Sequence, residues 1–286
     1  MHQLHYARAV KGQYEIACLT QSNLIALSGH KAAKQAFMEG HSEFETQLAY
    51  LVAVQQDQTQ TPYRNIVGFG HHSAVLHYQH YDYSRQKLQQ PKSFLIDAGA
   101  PCNGYASDVT HCHNRGSELY QHLIDTMTQA QLSVRAMVQP GVNYANLHYQ
   151  MHTLVLDLLE KFELVQDSRD ELESSHIGSA FFPHGLGHLL GIQVHYIGGW
   201  QQDELGTMLA APKEHPFLRC TKVLEKDMVV TIEPGLYVID TLLQKWRDKG
   251  FGHLLNNSAI DQLRPLGGVR IEDNVVVADA PVNLSV

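Results

Sequence analysis

The chain has 286 residues, within reach of a single large core of mixed helix and sheet. Its net charge of −8, from 21 Lys and Arg against 29 Asp and Glu, argues against a nucleic-acid backbone as the main partner. No apolar stretch approaches the roughly 20 residues of a membrane-spanning helix, and the N-terminus, Met1-His2-Gln3-Leu4-His5-Tyr6, lacks a basic-then-apolar signal pattern. Cys18, Cys102, Cys112 and Cys220 show no CxxC spacing and read as reduced thiols of a cytoplasmic protein, with a Cys102–Cys112 bridge across a hairpin as the alternative.

From about Tyr14 to Met38, Ala17, Leu24, Ile25, Ala32, Ala36 and Phe37 recur at helical spacing, and Gly40 ends the helix. Ser42 with Glu45 forms a capping-box pattern that opens a second helix through Thr46 to Val54. Phe94, Leu95 and Ile96 precede Asp97 as a buried apolar strand. Asp108 follows after Pro101, Asn103 and Gly104, so two antiparallel strands joined by a loop bring the carboxylates together. A third helix spans Ser117 to Val138, Pro140-Gly141 breaks it, and Asn143 caps a fourth from Tyr144 to about Phe162. The acidic stretch from Asp167 to Glu173 reads as a solvated loop or helix face. Met228-Val229-Val230-Thr231-Ile232 then forms a strand ending at Glu233.

The two halves share an order of features. Each has a helix broken at glycine (Gly40, Gly141), a capping residue two positions on (Ser42, Asn143), and an aliphatic-His-Tyr triplet (Leu76-His77-Tyr78, Val194-His195-Tyr196). Each then has an apolar strand ending in a carboxylate (Asp97, Glu233) and a glycine-led strand carrying another (Asp108, Glu272). This order predicts a duplication, with two αβ halves related by a pseudo-twofold axis.

Asp97, Asp108, His188, Glu233 and Glu272 are the candidate metal ligands. Four carboxylates and an imidazole suit two divalent cations, the hard oxygens favouring manganese-like ions and the histidine admitting zinc, cobalt or iron. Two metals about 3.5–4 Å apart share a hydroxide able to attack a carbonyl, which reads as hydrolysis. His184 and His188 are four apart, but Gly185 and Gly187 disfavour a helix and no HExxH glutamate is present. His71, His72, His111, His113 and His253 require no function.

Pro62-Tyr63-Arg64-Asn65-Ile66-Val67, Ala74-Val75-Leu76-His77-Tyr78, Pro183-His184-Gly185-Leu186-Gly187-His188 and Phe217-Leu218-Arg219-Cys220-Thr221 resemble segments of the pita-bread metallopeptidases, and among these the bacterial Xaa-Pro dipeptidases (prolidases). The likeness runs from Tyr6-Ala7-Arg8-Ala9-Val10-Lys11 to Val277. It implies an α+β pita-bread fold, with pseudo-twofold αβ halves around a curved antiparallel sheet and one catalytic domain over 1–286. It also implies a dimanganese site, with Co2+, Zn2+ or Fe2+ as substitutes. There Asp97 chelates one metal, His188 and Glu233 the other, and Asp108 and Glu272 bridge. Glu233 accepts the proton of the attacking water, and His77, His184 and His195 hold the substrate and the tetrahedral intermediate. Arg219 grips the free carboxylate of the dipeptide, Arg270 orients Glu272, and Tyr63 lines the pocket.

The expected reaction is hydrolysis of Xaa-Pro dipeptides, releasing C-terminal proline through a metal-bridging hydroxide, with no nucleic acid and no membrane as partner. An aminopeptidase P acting on longer Xaa-Pro peptides is the nearest alternative. A metal-competent remnant serving as a binding module is the alternative from a different class. Two departures from the family stand out. This chain begins where the family's upstream α/β domain would end, which leaves a homodimer less well supported. Tyr196 also replaces the usual acidic residue after His195, a change expected to loosen His195.

Overall fold

The computed structural model describes residues 1–85 and 91–286. A short helix, α1 (His2–Ala7), precedes α2 (Gln13–Met38) and α3 (Glu43–Val54), the two helices the apolar spacing predicts. The capping box closes as expected: the Ser42 hydroxyl accepts from the Glu45 N–H at 3.1 Å, and the Glu45 carboxylate accepts from the Ser42 N–H at 2.9 Å. Gly29 lets α2 and α3 meet, since a Cβ there would lie 2.5 Å from the Tyr50 ring.

Strands β1 (Ile66–Phe69) and β2 (Ser93–Asp97) follow, and a tight ribbon of β3 (Pro101–Cys102) and β4 (Tyr105–Ala106) leads to β5 (Thr110–Asn114). These form an antiparallel sheet in the order β1-β2-β5, with Asp97 opposite Ile66 on one side and Thr110 on the other. Phe37, Phe69 and Phe94 pack their rings 4.9–5.1 Å apart where α2 covers this sheet. All four cysteines are free, so the Cys102–Cys112 alternative falls away; Cys112 is buried with its Sγ 3.3 Å from the Arg270 carbonyl.

The second half repeats the plan. Helices α4 (Glu118–Arg135) and α5 (Tyr144–Lys161) are capped by Ser117 and Asn143, whose side chains accept from the N–H groups of Tyr120 and Ala145. They border the largest core, which includes Tyr120, Met127, Tyr144 and Met151. The acidic stretch opens a short helix, α6 (Arg169–Ser174). Strands β6 (Val229–Ile232) and β7 (Gly235–Tyr237) precede α7 (Asp240–Trp246), α8 (Asn257–Leu263), β8 (Gly268–Arg270), β9 (Asp273–Val276) and β10 (Val282–Asn283). β6 pairs antiparallel with β9 as β2 does with β5, and β7 pairs with β8.

The halves join where Thr110 bridges Glu272, the Glu272 N–H donating to the Thr110 carbonyl at 3.0 Å. Asp97 closes β2 and Asp108 lies two residues before β5, while Glu233 follows β6 directly and Glu272 precedes β9 directly. The matched halves therefore bring all four carboxylates to one seam. Among the described residues no helix is long and apolar enough to cross a membrane.

Glu43 ties the His77 segment to this frame. Its side chain is 1 % exposed and accepts from the Phe69 and Asp82 N–H groups (both 2.7 Å), His72 Nδ1 (2.8 Å) and the Tyr78 hydroxyl (2.8 Å). A buried carboxylate is tolerated only when its lone pairs are so satisfied.

His30 on α2 is buried beside the rings of Tyr50 and His111, its Nε2 donating to the Ala98 carbonyl at 2.9 Å while Nδ1 has no partner. Burial, with His111 beside it, holds its pKa well below the usual histidine range. The folded state therefore binds fewer protons than the unfolded one, so His30 removes stability as pH falls below about 6.5. Relative to His30→Leu, the wild type should lose on the order of 1.4 kcal/mol per pH unit below that value. Urea midpoints of both proteins from pH 8 to 5 check this, and a difference independent of pH would refute it.

Candidate metal centre

The five predicted ligands converge. Ligand atoms of Asp97, Asp108 and Glu272 lie within 4.8 Å of one another, as do those of His188, Glu233 and Glu272. His188 is carried by an irregular segment that runs beside β6, the Thr231 N–H donating to the His188 carbonyl at 2.9 Å and the Glu233 N–H to the Leu186 carbonyl at 2.8 Å. Gly187 makes this approach feasible. Its φ is +155°, and a Cβ there would sit 2.4 Å from the Thr231 carbonyl oxygen and the Tyr144 hydroxyl.

Crowding of like charge sets the electrostatics. Burial pushes the Asp97 carboxyl up to about 6 against the pull of Arg270, and pushes Glu233 up to about 7 against the pull of His188. Burial, with Asp108 and Glu233 next to it, drives Glu272 well above the usual carboxylate range. Asp108 moves the other way: burial acts to raise it, but His188, with Nε2 3.3 Å from Oδ2, more than compensates. Four carboxylates face one buried guanidinium, so the cluster lacks positive charge.

The imidazole of His188 is a second sign that the site suits a cation. The ring is 1 % exposed, and its Nδ1 lies 3.1 Å from the Leu189 carbonyl, which can only accept. Nδ1 therefore carries the hydrogen, and in the neutral ring the Nε2 lone pair points at Asp108 Oδ2 (3.3 Å) and Glu233 Oε1 (3.6 Å). Acceptors facing acceptors are stable only with a proton or a metal ion between them. The donor set fits divalent metal ions.

Around the ligands runs a hydrogen-bonded shell. Arg270 is 4 % exposed and donates to Asp97 Oδ2 (2.6 Å), the Tyr237 hydroxyl (2.8 Å) and Thr110 Oγ1 (3.1 Å). It thus contacts Asp97 rather than Glu272, which it reaches through Thr110, whose hydroxyl donates to Glu272 Oε2 at 2.7 Å. The Tyr63 hydroxyl donates to Asp97 Oδ1 at 2.8 Å. Tyr237 passes the chain on to His184 Nε2 at 2.8 Å, and His184 Nδ1 lies 2.8 Å from the Gly185 carbonyl. The carbonyl fixes the hydrogen on Nδ1, leaving Nε2 to accept from Tyr237. Tyr237, Thr110 and Thr231 were not singled out by the sequence; only their places in or beside the ligand-bearing strands could have pointed to them.

His184 is held neutral, its pKa pressed down to about 3 by burial and by Arg270. His195 is brought down to about 4 by burial and His188, whose ring centroid lies 4.5 Å away. His77 is lowered as well, by partial burial and then by Arg270 and Arg219. His77, His195 and Arg219 each keep one side open to solvent while the two imidazoles are partly enclosed by the site, and the loop carrying Arg219 is pinned by Trp200, whose Nε1 donates to the Leu218 carbonyl at 2.9 Å. Tyr196 is buried against the N-terminal segment, its hydroxyl 3.3 Å from the His5 carbonyl and its ring 5.1 Å from the Arg8 guanidinium and 5.2 Å from Lys11 Nζ. An acidic residue placed there would meet Arg8 and Lys11.

Comparison with known proteins identifies the family of the chain. The model of metallopeptidase family M24 matches residues 17–279. Xaa-Pro dipeptidases of Shewanella sediminis (strain HAW-EB3) and Shewanella baltica (strain OS185) are each 48% identical over 277 residues, 97% of this chain and 63% and 62% of theirs. The chain thus spans a little under two thirds of the length of these curated relatives. Among solved structures, an Escherichia coli aminopeptidase P variant in complex with substrate superposes with a TM-score of 0.77 at 25% identity, covering 99% of this chain and 57% of that one. Pseudomonas aeruginosa aminopeptidase PepP superposes with a TM-score of 0.78 at 24% identity, covering 99% of this chain and 58% of that one.

Proposed function

The chain belongs to metallopeptidase family M24 and has its pita-bread fold, and from that premise we propose that it hydrolyses Xaa-Pro dipeptides, releasing C-terminal proline. The observation that carries the reading is the convergence of Asp97, Asp108, His188, Glu233 and Glu272 on a seam whose charge a single arginine leaves uncompensated. These five residues would hold two divalent ions, with Mn2+ preferred for the four carboxylates and Co2+, Zn2+ or Fe2+ admitted by His188. When bound, such ions supply Lewis-acid polarisation of a carbonyl and make water acidic enough to act as a nucleophile near neutral pH.

The chain's own groups complete the chemistry. Glu233 takes the proton of the attacking water. His184, held neutral with its hydrogen on Nδ1, orients the scissile unit together with His77 and His195. A prolyl amide has no N–H to donate, so the site must act on the carbonyl and protonate the departing ring nitrogen. Arg219, a planar fork on a loop pinned by Trp200, suits the free carboxylate of the dipeptide. Tyr63 borders the pocket through its bond to Asp97. We assign residues 1–286 to one catalytic domain, working in the cytoplasm, where free thiols are the rule.

The second reading, removal of an N-terminal residue from longer Xaa-Pro peptides, is favoured by the likeness to aminopeptidase P structures. Proline release from Leu-Pro with Mn2+, measured beside cleavage of a Leu-Pro-Xaa tripeptide, separates the two. The dipeptidase cleaves the dipeptide, and Arg219→Gln raises its KM at least tenfold with kcat little changed. Cleavage of the tripeptide alone would establish the second reading instead, and cleavage of neither with metal bound would make the chain a binding module.

A further inference from the structure

A second set of ligating side chains lies outside the carboxylate cluster. His148 and His152 stand one turn apart on α5, and His215 reaches them from the loop that also carries Arg219. Their ring centroids are 4.5 Å apart for His148 and His152, 4.4 Å for His148 and His215, and 4.2 Å for His152 and His215. One ring nitrogen from each lies within 4.8 Å of the others. His148 is 1 % exposed, yet neither of its ring nitrogens has a hydrogen-bond partner, and Nε2 of His152 lacks one too. A buried imidazole with both nitrogens unmet forfeits the hydrogen bonds that water would give it, so native structures seldom keep one idle.

We propose that His148, His152 and His215 form a third, mononuclear metal site that takes a borderline divalent transition ion, with zinc as its representative. Three imidazoles with no carboxylate among them select zinc, nickel or copper over manganese and magnesium, the reverse of the preference expected at the seam. Burial, and then the neighbouring histidines, keep these rings neutral, with His152 pressed down to about 3, so their lone pairs are free for a metal at neutral pH. His215 borders a cavity of about 290 Å3, which leaves room for a water or an exogenous ligand in the fourth position.

Binding has a mechanical consequence. Zinc holds imidazole nitrogens about 2.0–2.1 Å from itself, so the ion must draw the three nitrogens inward. The helix fixes His148 and His152, which leaves His215 and its loop to move. Arg219 lies four residues further along that loop. On the other side, the Phe182 ring packs 4.9 Å from both His152 and His184, so one aromatic ring separates this histidine cluster from His184.

The test is metal content, which stands apart from whether the chain is a dipeptidase. The full chain is dialysed against Zn2+ in the presence of excess Mn2+ and its bound metals counted, beside His152→Gln and His215→Gln, both at partly exposed positions. The wild type should hold one more zinc per chain than either variant, with manganese unchanged in all three. Equal zinc in wild type and variants would overturn the site. On the unmodified protein, zinc added over saturating Mn2+ should cut carbethoxylation of His215 by diethylpyrocarbonate at least fivefold, and unchanged labelling would likewise overturn it.

Discussion

Glu233→Gln is expected to lower kcat for proline release by roughly 10²–10⁴-fold while leaving KM and the fold nearly intact. Glu233 stands directly after β6, its N–H held by the Leu186 carbonyl at 2.8 Å, and its two oxygens face His188 Nε2 at 3.6 Å and His184 Nδ1 at 3.9 Å. Glutamine fills the same volume but cannot take a proton from water. It also removes one of four crowded negative charges, so the metal-free variant should be at least as stable as the wild type. Activity and stability thus move independently, which separates loss of a proton acceptor from a structural defect. Arg219 and His77 are untouched, so substrate still docks. The check is steady-state release of proline from Leu-Pro at matched metal occupancy, with urea midpoints in chelator alongside. Retention of more than a tenth of wild-type kcat would remove Glu233 from the proton-accepting role.

The parts of this molecule that depend on neighbours in sequence were open to reading from sequence. The Ser42–Glu45 box and the Asn143 cap act within three residues, and the helices they open end within a residue or two of expectation. The strands before Asp97 and Glu233 are short apolar runs, and the repeated order of features in the two halves matches the meeting of all four carboxylates on one seam.

What escaped reading is what crosses the chain. Glu43 looks like an ordinary first-turn acid, yet its four donors lie 26 to 39 residues away. Arg270 sits two residues from Glu272, which invites pairing them, but in a strand its side chain and its guanidinium reach are set by what faces it, and that is Asp97, 173 residues distant. Tyr196 lies next to His195 in sequence and packs against the N-terminal segment instead. The helices α1, α7 and α8 are too short to form by propensity alone, so only the surrounding packing decides them. His148 and His152 carry an i, i+4 signal that nineteen histidines obscure, and the third ring comes from a loop with no regular pattern.

Arg270→Leu carries the largest expected loss of stability. The guanidinium is buried, and among the described residues it is the one Lys or Arg side chain bonded directly to the carboxylate cluster, reaching Asp97 at 2.6 Å while also bonding Tyr237 and Thr110. Removing it leaves Asp97 unpaired among Asp108 and Glu272 and strands two hydroxyl acceptors, a defect of about 3–5 kcal/mol for a broken buried pair. Part of that is avoided by protonation, since burial already holds Asp97 near 6, so the loss should grow as pH rises from 6 to 8 and the carboxyls are forced to ionise. Arg270→Lys keeps the charge but not the fork that serves three partners at once, and should fall between the two. Excess Mn2+ should restore much of the lost stability in both variants if divalent ions neutralise the same carboxylates. Urea midpoints with chelator and with Mn2+ at pH 6 and 8 measure all four effects. A metal-free Arg270→Leu protein as stable as wild type at pH 8 would mean that the cluster is not held together by this charge, and the same result would weaken the case that it awaits metal cations.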